Sequence, residues 1–212
     1  MMERRAFIYA AGEYRSGDLK LYKRIKMRDD DLVICADGGY DALSYTNIVP
    51  DVVIGDLDSI RSAVPSGIKT IKYPVEKDKT DLEICIDYAV ENGCKSVFIL
   101  GALGGRADHS LASLFAMRYA VENGIEPMIL TANTRIYLVD GSLTVSRESF
   151  DYISLIPCTE KVTGVTTRGL KYNLNDAVLK QSSSLGVSNE FYNNTAEISV
   201  RHGLLFVICT EE

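Results

Sequence analysis

The sequence contains no tryptophan, so any aromatic surface that stacks on a planar ligand must come from tyrosine or phenylalanine. It has no apolar run near the ~20 residues of a membrane helix. The longest runs are strand-length, and the segment 6–10 that follows Met1-Met2-Glu3-Arg4-Arg5 is too short for a secretory core. These absences point away from a membrane. The five cysteines, Cys35, Cys85, Cys94, Cys158 and Cys209, are odd in number and lack paired metal-ligand spacing. They read as buried, reduced thiols of a cytoplasmic protein. Basic residues are not clustered and the net charge is -6, which argues against a nucleic-acid surface. A Walker A loop, a Gly-x-Gly-x-x-Gly fingerprint and a Gly-x-Ser-x-Gly elbow are all missing. Ordinary P-loop, dinucleotide-binding and serine-hydrolase chemistry are disfavoured accordingly.

What is present is a globular composition, 46% apolar and 25% charged over 212 residues, enough for one large domain or two small ones. Up to about Thr131, apolar strands at 6–10, 32–36, 52–55, 68–73, 96–101 and 128–131 alternate with helical stretches. Thr80-Asp81-Leu82-Glu83 has the form of a capping box. Leu82, Cys85, Ile86, Ala89 and Val90 continue it at helical spacing to a stop at Gly93. A second helix is expected from about Asp108 to Gly124, and a short one from Gly39 to near Tyr45. Continuous apolar strands separated by helices predict a mostly parallel sheet covered on both faces, a three-layer α/β domain over 1–131. Beyond it, residues 132–212 show only short strands. These are expected at 135–139, 143–145, 152–156, 161–167, 177–179, 196–200 and 204–209, with a hairpin at Asp140-Gly141 and a tight turn at His202-Gly203. That pattern predicts a small antiparallel sandwich or barrel.

Acidic clusters punctuate the strand ends of the first domain: Asp37-Gly38-Gly39, Gly55-Asp56-Leu57-Asp58-Ser59 and Asp78-Lys79-Thr80-Asp81. In open α/β sheets ligands sit outside the carboxyl ends of the strands. Carboxylates gathered there repel unless a cation joins them, and Mg2+ with phosphate is the economical occupant. Asp56 and Asp58, two apart, project to one side of an extended chain; the bland alternative is a polar turn. Asp81 gains from its helix dipole whether or not it binds a ligand, while free amides and the nearby Lys77 and Lys79 suit phosphate oxygens. Gly38 and Gly39 allow close backbone approach to a ligand, or serve the turn alone. In Gly104-Gly105-Arg106-Ala107-Asp108-His109, Arg106 can hold phosphate oxygens in a fork. Asp108 or Ser110 caps the next helix or faces the ligand, and His109 is a base, a ligand contact or a helix-start residue.

These motifs, in this order, resemble the thiamine pyrophosphokinase family. The second half agrees: Gly164-Val165-Thr166-Thr167-Arg168-Gly169-Leu170-Lys171-Tyr172 and Gly186-Val187-Ser188-Asn189-Glu190 are similar to its thiamine-binding half. The resemblance runs from Ala36 to the end. It implies a C-terminal β-sandwich, a homodimer with sites between subunits, and transfer of the pyrophosphoryl group of ATP to thiamine, giving thiamine diphosphate and AMP. By motif position, Asp56, Asp58 and Asp81 would coordinate Mg2+ and the phosphates. Asp37, Asp78 and Arg106, with Gly38, Gly39, Asp108 and His109 beside them, would line the nucleotide and pyrophosphate pocket. Ser188 and Asn189 would contact thiamine, with Tyr172, Phe191 and Tyr192 the aromatic candidates for stacking. Two other functions use the same features. A metal-dependent phosphohydrolase would need the aspartates and an activated water but no acceptor. A nucleotide or vitamin sensor would need the pockets but not so many carboxylates.

Overall fold

The computed structural model describes residues 3–14, 16–23, 25–44 and 46–212, and divides into two compact units, Met1–Ala132 and Asn133–Glu212. The first contains strands β1 (Arg5–Tyr9), β2 (Leu32–Ala36), β3 (Val52–Gly55), β4 (Lys69–Lys72), β5 (Ser96–Leu100) and β6 (Glu126–Leu130). They are ordered β6-β5-β1-β2-β3-β4, and every neighbouring pair is parallel. Helices α1 (Ser16–Tyr22), α2 (Gly39–Leu43), α3 (Asp81–Glu91) and α4 (Ala107–Glu122) connect or follow them. The end of α2 expected at Tyr45 lies outside the described residues; the helix itself ends at Leu43.

The central strands are buried on both faces, as parallel sheets must be when crossover helices cover them. On one face Phe7, Tyr9, Val33, Cys35 and Val53 pack with Tyr22, Tyr40 and Leu43. The alternate positions, Ile8, Ile34, Ile54 and Ile99, are also buried, and α3 lies against β1, β2 and β3. The α3 capping box forms as its sequence predicts. Thr80 N–H donates to Glu83 Oε2 at 2.8 Å, and Glu83 N–H donates to Thr80 Oγ1 at 3.3 Å. Gly93, at φ 77°, closes the helix where a side chain would be strained.

The second unit holds two antiparallel sheets. One is ordered β12-β9-β14-β7, from β12 (Asn189–Glu190), β9 (Tyr152–Pro157), β14 (Leu205–Thr210) and β7 (Thr134–Val139). The other is β11-β10-β13-β8, from β11 (Ala177–Lys180), β10 (Lys161–Arg168), β13 (Thr195–Ser199) and β8 (Ser142–Ser146). Their inward faces share one core, with Ile153, Leu155, Leu205 and Val207 from the first meeting Val162, Val165, Ala196 and Ile198 from the second. This is a sandwich.

The hairpin expected at Asp140-Gly141 does not form. Strand β7 pairs with β14 and β8 pairs with β13, so the turn passes from one sheet to the other. Gly141 is not among the left-handed glycines, and the primed turn that would pair its flanking strands requires that conformation.

Candidate active site

All six strands of the first unit run the same way, so the loops leaving their carboxyl ends form one rim. The strand order reverses at β1: the chain steps outward through β2, β3 and β4, then resumes with β5 on the other side. Sheets of this kind bind ligands at such a reversal.

Asp37, Asp56 and Asp58 each offer a carboxylate oxygen, and these oxygens all lie within 4.8 Å of one another. Asp37 ends β2 in the left-handed region at φ 46°, and its N–H donates to Ile54 O at 2.8 Å, which ties it to β3. Gly55 permits this approach, since a Cβ there would come within 2.9 Å of Asp37 Cβ. Between the other two acids, Leu57 adopts φ 69°, a conformation costing a bulky residue about 1–3 kcal/mol. Its side chain packs against the Phe7–Tyr9 core cluster, and that burial holds the turn. Asp58 N–H donates to Asp56 Oδ1 at 3.1 Å, and Ser59 Oγ donates to Asp58 Oδ1 at 3.1 Å. The Asp58 amide, helped by the charges of Lys77 and Lys72, holds the Asp56 carboxyl below its ordinary range. Two further amides, Arg61 N–H at 2.9 Å and Ser62 N–H at 2.8 Å, bind the Asp41 carboxylate and clamp the following loop to α2.

A divalent cation fits this group. Asp37 Oδ1 is buried and has no hydrogen-bond partner, a costly state for a carboxylate oxygen. Three hard oxygen donors so close together also suit Mg2+.

Asp81, read by motif with Asp56 and Asp58, is not one of this group of three. It is the first residue of α3, and Lys77, four residues earlier, pairs with its Oδ1 at 2.8 Å. Asp37 takes the third position in the carboxylate group. Lys79 sits between α3 and α4, where its Nζ meets Asp87 Oδ2 of α3 at 2.6 Å and Tyr119 OH of α4 at 2.7 Å; Asp78 is exposed. The two glycines after Asp37 separate by role. A Cβ on Gly39 would fall 1.9 Å from Tyr9 O, so that glycine serves helix packing. Gly38 lies near Ser59, where a Cβ would sit 3.3 Å from Ser59 Cβ.

Across the reversal, Arg106 is exposed and forks onto Asp108, Nε to Oδ1 at 3.1 Å and Nη2 to Oδ2 at 2.6 Å. That contact holds the Asp108 carboxyl down at about 2. An exposed pair of this kind is weak and can yield Arg106 to a phosphate. Neither Asp108 nor Ser110 caps α4, whose N-cap position is Arg106 itself. Ser110 Oγ instead accepts from Gly104 N–H at 3.1 Å, and the exposed His109 donates its N–H to Asp108 Oδ1 at 3.0 Å.

In the second unit, Asn189 is buried and its side chain braces a loop. Oδ1 accepts from Tyr172 N–H at 3.1 Å, and Nδ2 donates to Tyr172 O at 2.8 Å. Ser188 is left-handed at φ 55° and exposed. Tyr172 is 62% exposed and Tyr192 79%, whereas Phe191 lies in the core at 7%, so the two tyrosines alone among the three present an aromatic face.

Sequence reasoning passed over the loop leaving β1. There Gly12 N–H donates to Gly101 O at 2.9 Å and Glu13 Oε2 accepts from Gly105 N–H at 3.2 Å. The signal was available: Ala10-Ala11-Gly12-Glu13 is another apolar run ending in glycine and an acid.

Fold and rim together define a two-unit α/β protein whose parallel sheet carries a group of three carboxylates and an exposed arginine along its carboxyl edge. Residues 24–129 match the thiamin pyrophosphokinase catalytic domain, and residues 142–205 match the thiamin pyrophosphokinase vitamin B1 binding domain. The thiamine pyrophosphokinase of Bacillus subtilis (strain 168) is 32% identical over 184 residues, covering 84% of this chain and 86% of that protein. A crystal structure of thiamine pyrophosphokinase from Bacillus subtilis superposes with a TM-score of 0.86 at 28% identity, covering 99% of this chain and 100% of that one. The corresponding structure from Geobacillus thermodenitrificans gives a TM-score of 0.80 at 27% identity, over 99% and 98% of the two chains. The chain belongs to the thiamine pyrophosphokinase family.

Proposed function

We propose that the chain transfers the terminal pyrophosphoryl group of ATP to the hydroxyl of thiamine, giving thiamine diphosphate and AMP, with Mg2+ bound at the rim of the parallel sheet. The observation that carries the metal reading is the convergence of Asp37, Asp56 and Asp58, one of whose oxygens is buried without a donor. Asp56 and Asp58 would hold Mg2+ with Asp37 beside them. Asp81, whose Oδ1 pairs with Lys77, would join them through its second carboxylate oxygen. Bound there, Mg2+ would neutralise oxygens of the polyphosphate.

The chain's own groups supply placement and charge. The thiamine oxygen attacks the β-phosphorus in line as the hydroxyl loses its proton. The bond from that phosphorus to the α–β bridging oxygen breaks, and the oxygen departs on AMP. Charge accumulates on the departing oxygen, and Arg106 is the guanidinium at hand to offset it, once it exchanges Asp108 for phosphate. Gly38, at the end of β2 beside Ser59, leaves room for close approach. Holding donor and acceptor in line provides most of the acceleration in such transfers.

Thiamine is contacted from the sandwich by Ser188 and the face of Tyr172 or Tyr192, on a loop that Asn189 fixes. A second copy of the chain contributes these residues in a homodimer, as the family resemblance suggests. The five cysteines are buried, which supports a reducing, cytoplasmic setting; no helix of the described residues is long and apolar enough to cross a membrane.

Incubation with ATP, Mg2+ and thiamine tests the reading. AMP and thiamine diphosphate are expected in equal amounts. ADP as the sole nucleotide product, or AMP released without thiamine, would reject the transfer and favour a phosphohydrolase.

A further inference from the structure

Glu13 has no part in the reaction set out above, yet its carboxylate stands on the glycine-rich loop that follows β5. Glu13 Oε2 accepts from Gly105 N–H at 3.2 Å. The approach is built by missing side chains on both loops. A Cβ on Gly12 would lie 2.1 Å from Gly101 O, one on Gly101 would lie 2.2 Å from Tyr14 OH, and one on Gly104 would lie 2.9 Å from Glu13 Oε2. Backbone anchors fix the strap on either side of Glu13: Gly12 N–H donates to Gly101 O at 2.9 Å, and Tyr14 OH donates to Ala10 O at 2.5 Å. Gly104 and Gly105 are both left-handed, at φ 91° and 65°; Ser110 Oγ holds the Gly104 amide, and the Gly105 amide is turned toward an anion, as backbone amides in such turns can be. In this structure a carboxylate is the anion at one of those amides.

We propose that Glu13 sets the affinity of the nucleotide site, its carboxylate holding in the free protein the Gly105 amide that a phosphate oxygen takes on binding. The inference rests on the reading of residues 104–106 as a phosphate cradle. One N–H serves one anion at full strength, and two anions crowded there repel. Phosphate entry therefore displaces the Glu13 side chain, which is exposed and free to swing into solvent. The residue lowers affinity for polyphosphates while keeping the cradle ordered when it is empty.

The test uses Glu13→Gln, which removes the charge, and Glu13→Ala, which removes the acceptor. Inorganic pyrophosphate and ATP are titrated calorimetrically, and the Gly105 and Arg106 amide resonances are followed. Both variants are expected to bind pyrophosphate and ATP about three- to tenfold more tightly than the parent. In the free protein the Gly105 resonance of Glu13→Ala differs from the parent's; at saturating pyrophosphate the two coincide. Affinities that are unchanged or weaker in both variants would overturn the proposal, as would Gly105 resonances that still differ at saturation. Pyrophosphate that leaves both Gly105 and Arg106 unmoved in the parent would refute the cradle itself, and this inference with it.

Discussion

Gly39→Ala separates a ligand-binding glycine from a packing glycine. A Cβ on Gly39 would lie 1.9 Å from the carbonyl oxygen of Tyr9 and 2.6 Å from its carbonyl carbon. Both atoms belong to the backbone of β1, which is paired on each side with β2 and β5 and cannot recoil as a side chain can. Helix α2 must instead lift by roughly an ångström or more, because close-packed interiors leave no slack for an added methyl. The lift strips Tyr40 and Leu43 from the cluster around Phe7 and Tyr9, and it drags Asp37 away from Asp56. Overpacking a core usually costs about 1–3 kcal/mol; backbone against backbone belongs at or above the upper end, so a loss of about 3–5 kcal/mol is expected. Gly38→Ala is the control. Its φ is an ordinary -56°, and its Cβ would meet the Cβ atoms of Ser59 and Ala11 at 3.3 and 3.4 Å, so its cost stays below about 1 kcal/mol. Urea unfolding of the two variants decides the matter. Equal stabilities would refute the packing argument for Gly39 and return both glycines to the ligand.

Asp56→Asn and Asp58→Asn should each lower turnover by orders of magnitude while circular dichroism stays that of the parent; a near-normal rate in either removes that residue from the metal shell. Asp31 has a side chain only 1% exposed and binds Arg5, whose Nε donates at 2.8 Å, and the Arg28 amide at 2.7 Å. Asp31→Ala leaves the Arg5 guanidinium half-sheltered without its partner and is expected to cost about 3 kcal/mol in chemical denaturation. Burial alone would raise the Asp31 carboxyl, but the Arg5 and Arg28 contacts prevail and lower it. The folded value lies below the unfolded one, so the stability is present above the ordinary carboxylate range and is lost as pH falls through the folded value. The gap in melting temperature between parent and Asp31→Asn should accordingly narrow on acidification, and a constant gap would contradict the assignment. Tyr9→Phe removes a buried hydroxyl that has no hydrogen-bond partner, so its stability should equal or exceed the parent's by up to about 1 kcal/mol; a clear loss would reveal a missed partner.

The parallel unit was legible because its strands are continuous apolar runs, and the α3 start because Thr80 and Glu83 stand at capping-box spacing. The acids at strand ends could be found for the same reason: each follows a run that must end at the rim. What could not be read was which acids meet. The pairing of β2 with β3 brings Asp37 beside Asp56, and Gly55 clears the space; neither fact appears in local pattern. Motif groups Asp81 with Asp56 and Asp58, but the pairing of its Oδ1 with Lys77 at i-4 is not visible in that motif. In the sandwich, Asp140-Gly141 has hairpin chemistry, but strand partners are chosen by the two-sheet core, and Val139 and Val145 reach it from opposite sheets. The two-residue strand β12 is too short to carry an alternation. Motif position makes Asn189 a ligand contact; its bracing of Tyr172, seventeen residues away, cannot be read from local pattern.

Manganese binding followed by electron paramagnetic resonance probes the rim most directly, since Mn2+ takes the same hard oxygen donors as Mg2+. Parent protein with ATP should bind Mn2+ and give it up to added Mg2+, and Asp56→Asn, Asp58→Asn and Asp37→Asn should each weaken binding about tenfold or more. Undiminished Mn2+ affinity in all three variants would mean that these carboxylates do not gather around a cation.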